Sequence, residues 1–159
     1  DRKKYGLILK HSCQENFELP NLKKFSSFYF LNKKRGQNAF NLFHDDLKIK
    51  IRNSNEMVSN LSGGNQQKIV LAKWLESNSD IIIFDEPTRG IDVGAKYEIY
   101  QIIKKLAMQG KSIILVSSEM QEILGMCNRI IVMHEGRIKG EVDNAKEIKQ
   151  EDILKMAIA

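Results

Sequence analysis

The stretch IIIFDEPTRGID at residues 81–92 constrains this chain more than any other. Ile81, Ile82, Ile83 and Phe84 are continuously apolar and mostly β-branched, as expected of a strand buried on both faces of a parallel sheet. Asp85 and Glu86 then release the chain into polar surroundings, and Pro87, which has no N–H to give to a ladder, stops the strand. Downstream, Ile99, Ile102, Ile103 and Leu106 recur at helical spacing and Gly110 closes that helix. SIILVS at 112–117 is a second apolar strand and 119–125 a short helix. RIIVM at 129–133, His134-Glu135-Gly136 and RIKGEV at 137–142 read as a hairpin, and 145–157 as a terminal helix. Strands alternating with helices in this way predict an α/β fold.

The first part of the chain differs in texture. YGLIL at 5–9 reads as a short strand, and 14–60 is polar and rich in Asn and Lys, with scattered Phe and Leu. Phe40, Phe43 and Leu47 predict one amphipathic helix, and Pro20 marks an element boundary. We therefore expect 1–60 to be a short strand plus a small helical subdomain, and 61–159 to be the α/β core with its C-terminal hairpin and helix. Within the core, Val70, Leu71, Trp74 and Leu75 form an apolar stripe on the helix that follows residue 62.

Several function classes are set aside by composition. At 159 residues, 42% apolar and 28% charged, the chain is an ordinary one-domain globular sequence. No stretch reaches the ~20 apolar residues of a membrane span. Cys13 and Cys127 have no metal-ligand spacing and suit a reduced compartment. The net charge of +5 is densest in the first third, at Arg2-Lys3-Lys4, Lys23-Lys24 and Lys33-Lys34-Arg35. We read these clusters as solvated surface, since no nucleic-acid-binding motif accompanies them. His11, His44 and His134 lack partners in the sequence and are read as surface, and Cys127 as a buried or half-buried small residue rather than a nucleophile.

Two segments carry chemistry. In LSGGNQQK at 61–68, Ser62 can cap the helix that follows, and two glycines allow an anion close to the backbone. That helix start offers unpaired N–H groups and the positive end of its dipole to a phosphate. At the end of the 81–84 strand, Asp85 lies where open α/β sheets bind ligands and can hold Mg²⁺, while Glu86 can orient or deprotonate a water. A nucleotide bound this way needs a loop G-x-x-x-x-G-K-[ST] around its phosphates, and none of the ten glycines begins one.

Together these segments resemble the ABC-type ATPase, whose signature motif is similar to LSGGNQQK and whose Walker B strand and D-loop are similar to IIIFDEPTRGID. The resemblance implies a P-loop NTPase core of mainly parallel sheet with a small helical subdomain. It makes Asp85 the metal-side carboxylate, Glu86 the catalytic one, Asp92 the D-loop aspartate, and ATP with Mg²⁺ the cofactors. DEPTRGIDVGAKYEIY at 85–100, SSEMQEILGM at 117–126, RIIVMHEGRIKGE at 129–141, the opening DRKKYGL and Asn65 resemble the second half of a fused double ATPase of bacterial monosaccharide import. That kind of protein works as a peripheral subunit on the cytoplasmic face of the membrane. Its partners are an N-terminal ATPase half, a transmembrane permease and, indirectly, an extracytoplasmic sugar-binding protein, with no nucleic acid. By this resemblance Ser62, Gly63, Gly64 and Asn65 serve the ATP held on the partner half's P-loop, and the missing loop is explained by truncation before Asp1.

One departure bears on activity. Ser118 stands where most of the family carries a switch histidine, and an uncharged hydroxyl is a poor substitute beside a γ-phosphate. The alternatives are a catalytically degenerate half acting as a dimerisation platform, or a nucleoside importer. A chromosome-organising ATPase ranks last, because no long heptad pattern is visible. A core sheet without its other strands is expected to self-associate through its edges.

Overall fold

Ser12 and Glu15 close a capping box that starts the first helix. The Ser12 hydroxyl accepts from the Glu15 N–H at 3.2 Å, and the Glu15 carboxylate accepts from the Ser12 N–H at 2.8 Å. The Ser12 backbone amide, first, and the Ser12 hydroxyl, which donates to the same carboxylate at 2.9 Å, hold the Glu15 carboxyl below its ordinary range. In the computed structural model, which describes residues 2–28, 30–143 and 148–158, that helix is α1 (Cys13–Glu18). It is followed by α2 (Leu22–Phe25), the short strands β1 (Ser26–Ser27) and β2 (Phe30–Leu31), α3 (Lys33–Asp46) and α4 (Gly63–Leu75). Then come β3 (Ile81–Asp85), α5 (Val93–Met108), β4 (Ser112–Val116), α6 (Met120–Met126), β5 (Arg129–His134), β6 (Arg137–Asp143) and α7 (Gln150–Ile158).

Two compact units divide the chain, one comprising the residues up to Asp80 with Thr88–Lys111, the other Ile81–Pro87 with the residues from Ser112 onward. The first is helical. Its centre is Phe17, fully buried, with ring centroids 5.5 Å from Phe40, 5.5 Å from Phe43 and 5.9 Å from Phe25. Helix α3 forms as its apolar spacing requires. Pro20 sits in a 3₁₀ turn, Leu19–Asn21. Cys13 is buried here, and burial pushes its thiol up to about 11.

Residues 5–9 are not a strand. Arg2–Gly6 is a π-helical turn, and the backbone groups of Ile8 are taken by a side chain. The buried Asn16 accepts from the Ile8 N–H at 2.8 Å and donates to the Ile8 carbonyl at 3.0 Å and the Ser12 carbonyl at 3.0 Å. An amide that pairs both polar groups of one residue stands in for a strand neighbour.

In the second unit β3 and β4 are parallel, with Ile81 opposite Ser112 and Asp85 opposite Val116. Strands β5 and β6 form the expected hairpin through Glu135 and Gly136, both at positive φ (48° and 75°), as a two-residue turn demands. Ile130, Val132 and Ile153 are its core, with Met120, Ile123, Leu124 and Cys127 packed on them. The Cys127 thiol is half-buried, and burial raises it, as the sequence reading of a small packed residue expects. Of the terminal helix read at 145–157, residues 145–147 lie outside the described residues, 148–149 are not helical, and α7 begins only at Gln150.

The expectation that 81–84 is buried on both faces is corrected. Phe84 is buried, but Ile81 and Ile83 are exposed, as are Ile114 and Val116 on β4. Among the described residues β3 and β4 pair only with each other, so the sheet's outer edges are also unpaired. Bare apolar faces and unpaired edges drive association. Light scattering over rising concentration should therefore show a mass above the monomer. A monomeric mass throughout would contradict this.

Candidate functional site

Six of the eight candidate residues sit at or just beyond the ends of helices or strands, where backbone groups have no regular partner; Gly64 and Asn65 lie within the first turn of α4. The first group lies in the helical unit. Ser62 is the N-cap of α4, its Oγ accepting from the Asn65 N–H at 3.4 Å and the Asn65 Nδ2 at 3.1 Å. Asn65 Oδ1 accepts from the Lys50 N–H at 2.8 Å, which ties the helix start to the preceding loop. Gly63 opens the helix, and Gly64 is buried under α5: a Cβ at 64 would come within 2.6 Å of the Ala95 Cβ. Asp92 caps α5, its Oδ1 accepting from the Ala95 N–H at 2.9 Å. The packing of Gly64 on Ala95 sets the N-terminal ends of α4 and α5 side by side, so two positive dipole ends share one locality.

Sequence reasoning missed Lys68, which is buried on α4. Its Nζ lies 2.9 Å from Glu98 Oε2 on α5 and donates to the Lys48 carbonyl at 2.8 Å. It also missed the buried Lys73, which donates to the Gly6 carbonyl at 2.6 Å and lies 5.4 Å from the Trp74 ring centroid. Burial holds the Lys73 ammonium below its ordinary range. The expected stripe of Val70, Leu71, Trp74 and Leu75 is corrected accordingly. Leu71 is buried, but Trp74 is exposed, and the inward face runs through Gln66, Ile69, Ala72 and the stems of the two lysines. Long amphipathic side chains can cover a core while their ends find oxygen partners, and a hydrophobicity pattern cannot show that.

The second group lies in the other unit. Asp85 ends β3 with its side chain exposed. Glu86 extends the pairing by one bond, its N–H donating to the Val116 carbonyl at 2.9 Å, and then turns the chain at φ 48°. Its Oε1 accepts from the Ser118 N–H at 2.8 Å. Glu86 is thus fastened at backbone and carboxylate to the exit of β4, and the structure brings Glu86 and Ser118 together. A left-handed backbone on a non-glycine residue is strained, and here two bonds hold it. Among the described residues no group of three or more His, Cys, Asp and Glu could hold a metal ion. A lone exposed carboxylate fits Mg²⁺ of the kind that takes most of its oxygens from phosphate and water. His134 ends β5 in the hairpin, and His44 meets Asp45 at 2.7 Å.

The family described as ABC transporter matches residues 2–89. The chain is 50% identical over 159 residues to the ribose import ATP-binding protein RbsA of Clostridium perfringens, covering 99% of this chain and 32% of that protein. It is 51% identical over 156 residues to the L-arabinose transport ATP-binding protein AraG of Geobacillus stearothermophilus, covering 98% of this chain and 30% of that protein. The chain thus spans about a third of the length of these relatives. Among solved structures, it resembles an ATP-binding cassette in a dimeric post-hydrolysis state bound to ADP and Pi, with TM-score 0.74 and 26% identity over 89% of this chain and 60% of that one.

Proposed function

Because the chain belongs to the ABC transporter family, we propose that it works within an ATP-binding subunit that energises monosaccharide import, peripheral to the cytoplasmic face of a bacterial membrane. The observation that carries this reading is the start of α4, where Ser62, Gly63, Gly64 and Asn65 present a capped helix end to an anion. In this reading the helix start closes over ATP held on the P-loop of a partner half, with the Asp92 end of α5 beside it. Ser62 and Asn65 are already bonded to each other, so the helix start is organised before any nucleotide arrives.

We assign Asp85 as the residue that would hold Mg²⁺; the ion, when bound, neutralises charge on the phosphates. Glu86 would orient or deprotonate the attacking water, and Ser118 holds its carboxylate through the backbone amide. The chain would correspond to the second half of a double ATPase, with 1–60 facing the permease and 61–159 carrying the nucleotide motifs. A permease and an extracytoplasmic sugar-binding protein complete the assembly.

A second reading, a half that binds nucleotide statically and serves as a dimerisation platform, is favoured by one observation. At the position where a histidine would meet the γ-phosphate, Glu86 faces a neutral amide and an uncharged serine.

Calorimetry with Mg-ATP at millimolar nucleotide tests the proposal. No G-x-x-x-x-G-K-[ST] loop occurs in these 159 residues, so the chain alone should show no binding heat and no hydrolysis. Tight binding would mean that the phosphates are held here by residues other than those named, and the half-site reading would fail.

A further inference from the structure

We propose that the β1–β2 hairpin inserts at the surface of an anionic lipid bilayer, with Phe28 and Phe30 in the headgroup region and Lys23, Lys33, Lys34 and Arg35 on lipid phosphates. The inference is independent of the nucleotide site.

Ser26 pairs with Leu31 and Ser27 with Phe30; Tyr29 lies outside the described residues. Phe28 turns the chain directly after β1, at φ 47°. Tight hairpins fill such left-handed positions with Gly, Asn or Asp, because a bulky Cβ substituent is strained there. Phe28 accepts that strain and gains no burial from its own chain, being 91% exposed, with Phe30 at 80%. Leu19, Leu22 and Leu31 extend the exposed apolar surface around the hairpin base.

Charge selects the occupant. Residues 19–44 contain Lys23, Lys24, Lys33, Lys34 and Arg35 and no Asp or Glu. Lys24 pairs with Glu76 at 2.6 Å. The other four are exposed, close before β1 or in the first turn of α3; Lys33 is near enough to the exposed Glu15 carboxylate to favour its charged form, while Lys23, Lys34 and Arg35 form no ion pair among the described residues. Exposed basic side chains flanking exposed aromatic ones match a surface with anions outside and hydrocarbon within. A second copy of the hairpin would bring like charges together. Single-stranded nucleic acid could also stack its bases on Phe28 and Phe30; the exposed leucines beside them have no π-face and favour hydrocarbon, and retention by an oligonucleotide without sedimentation by anionic vesicles would overturn the lipid reading.

The test sediments the full chain with phosphatidylcholine vesicles with and without phosphatidylglycerol. The chain should partition to the phosphatidylglycerol vesicles only, and binding should fall as salt shortens the screening length. Phe28→Asn with Phe30→Thr should lower the partition coefficient about tenfold or more, through lost apolar burial. Its circular dichroism and thermal midpoint should hold, since Asn suits the left-handed turn. Changing Lys33, Lys34 and Arg35 to Gln should remove most of the salt dependence. The proposal is overturned by no sedimentation with anionic vesicles, by equal partition of the Phe28→Asn/Phe30→Thr variant, or by binding only to vesicles that carry a permease.

Discussion

Phe17→Ala is expected to lower the stability of the helical unit by about 3–5 kcal/mol, the usual cost of emptying a buried aromatic site. Phe17 has no exposed surface and touches three other rings, so its removal leaves a cavity bounded by Phe25, Phe40 and Phe43. These rings come from α2 and α3, which the chain joins through the exposed hairpin, so a collapse that refilled the space would have to move both helices. Pairwise ring contacts near 5.5 Å in tilted or edge-on geometry add to the burial term. Urea denaturation followed by far-ultraviolet circular dichroism should show the midpoint falling with little change in slope. Phe17→Leu, which keeps most of the volume, should cost well under half as much. A loss of about 1 kcal/mol or less for Phe17→Ala would mean that the ring cluster does not hold this unit together.

The apolar runs at 81–84 and 112–117 and the hairpin after 129 were legible because their signals are local: β-branched runs, and a Glu-Gly turn that needs positive φ. The cap at Ser62 was legible for the same reason. What escaped depends on partners distant in sequence. YGLIL has the composition of a strand, yet the amide of Asn16 takes the hydrogen bonds a neighbour strand would have made. Lys68 and Lys73 look like surface residues until Glu98, Lys48 and Gly6 supply oxygen to their buried ends. At the candidate site, spacing located Asp85 and Glu86. The left-handed turn at Glu86 and its bond to the Ser118 amide arise from the pairing of β3 with β4, thirty-odd residues apart, and no motif records them.

Gly64 illustrates how one residue can satisfy two readings, and its substitution separates them. Two glycines after Ser62 suggest close approach of a phosphate to the backbone. In the fold, the position of a Cβ at 64 is taken by Ala95 of α5, 2.6 Å away, so helix packing alone excludes a side chain there. Gly64→Ala should therefore cost about 1–3 kcal/mol by overpacking, even though alanine is the better helix former. The start of α4 should also shift against the cap of α5, where Asp92 sits. Ala95→Gly alone should cost about 0.5–1 kcal/mol through helix propensity. Combined, the two changes exchange which helix carries the methyl group, and most of the packing loss should return, giving a coupling energy of about 1 kcal/mol or more in a double-mutant cycle. In an assembled importer, hydrolysis should recover along with stability, because the direction of a Cβ at 64 points to α5 and not out of the helix end. Recovery of stability without recovery of hydrolysis would mean that phosphate approach, and not only helix packing, requires a glycine at 64. Absence of coupling would mean that the α4–α5 approach is not the constraint that keeps residue 64 a glycine.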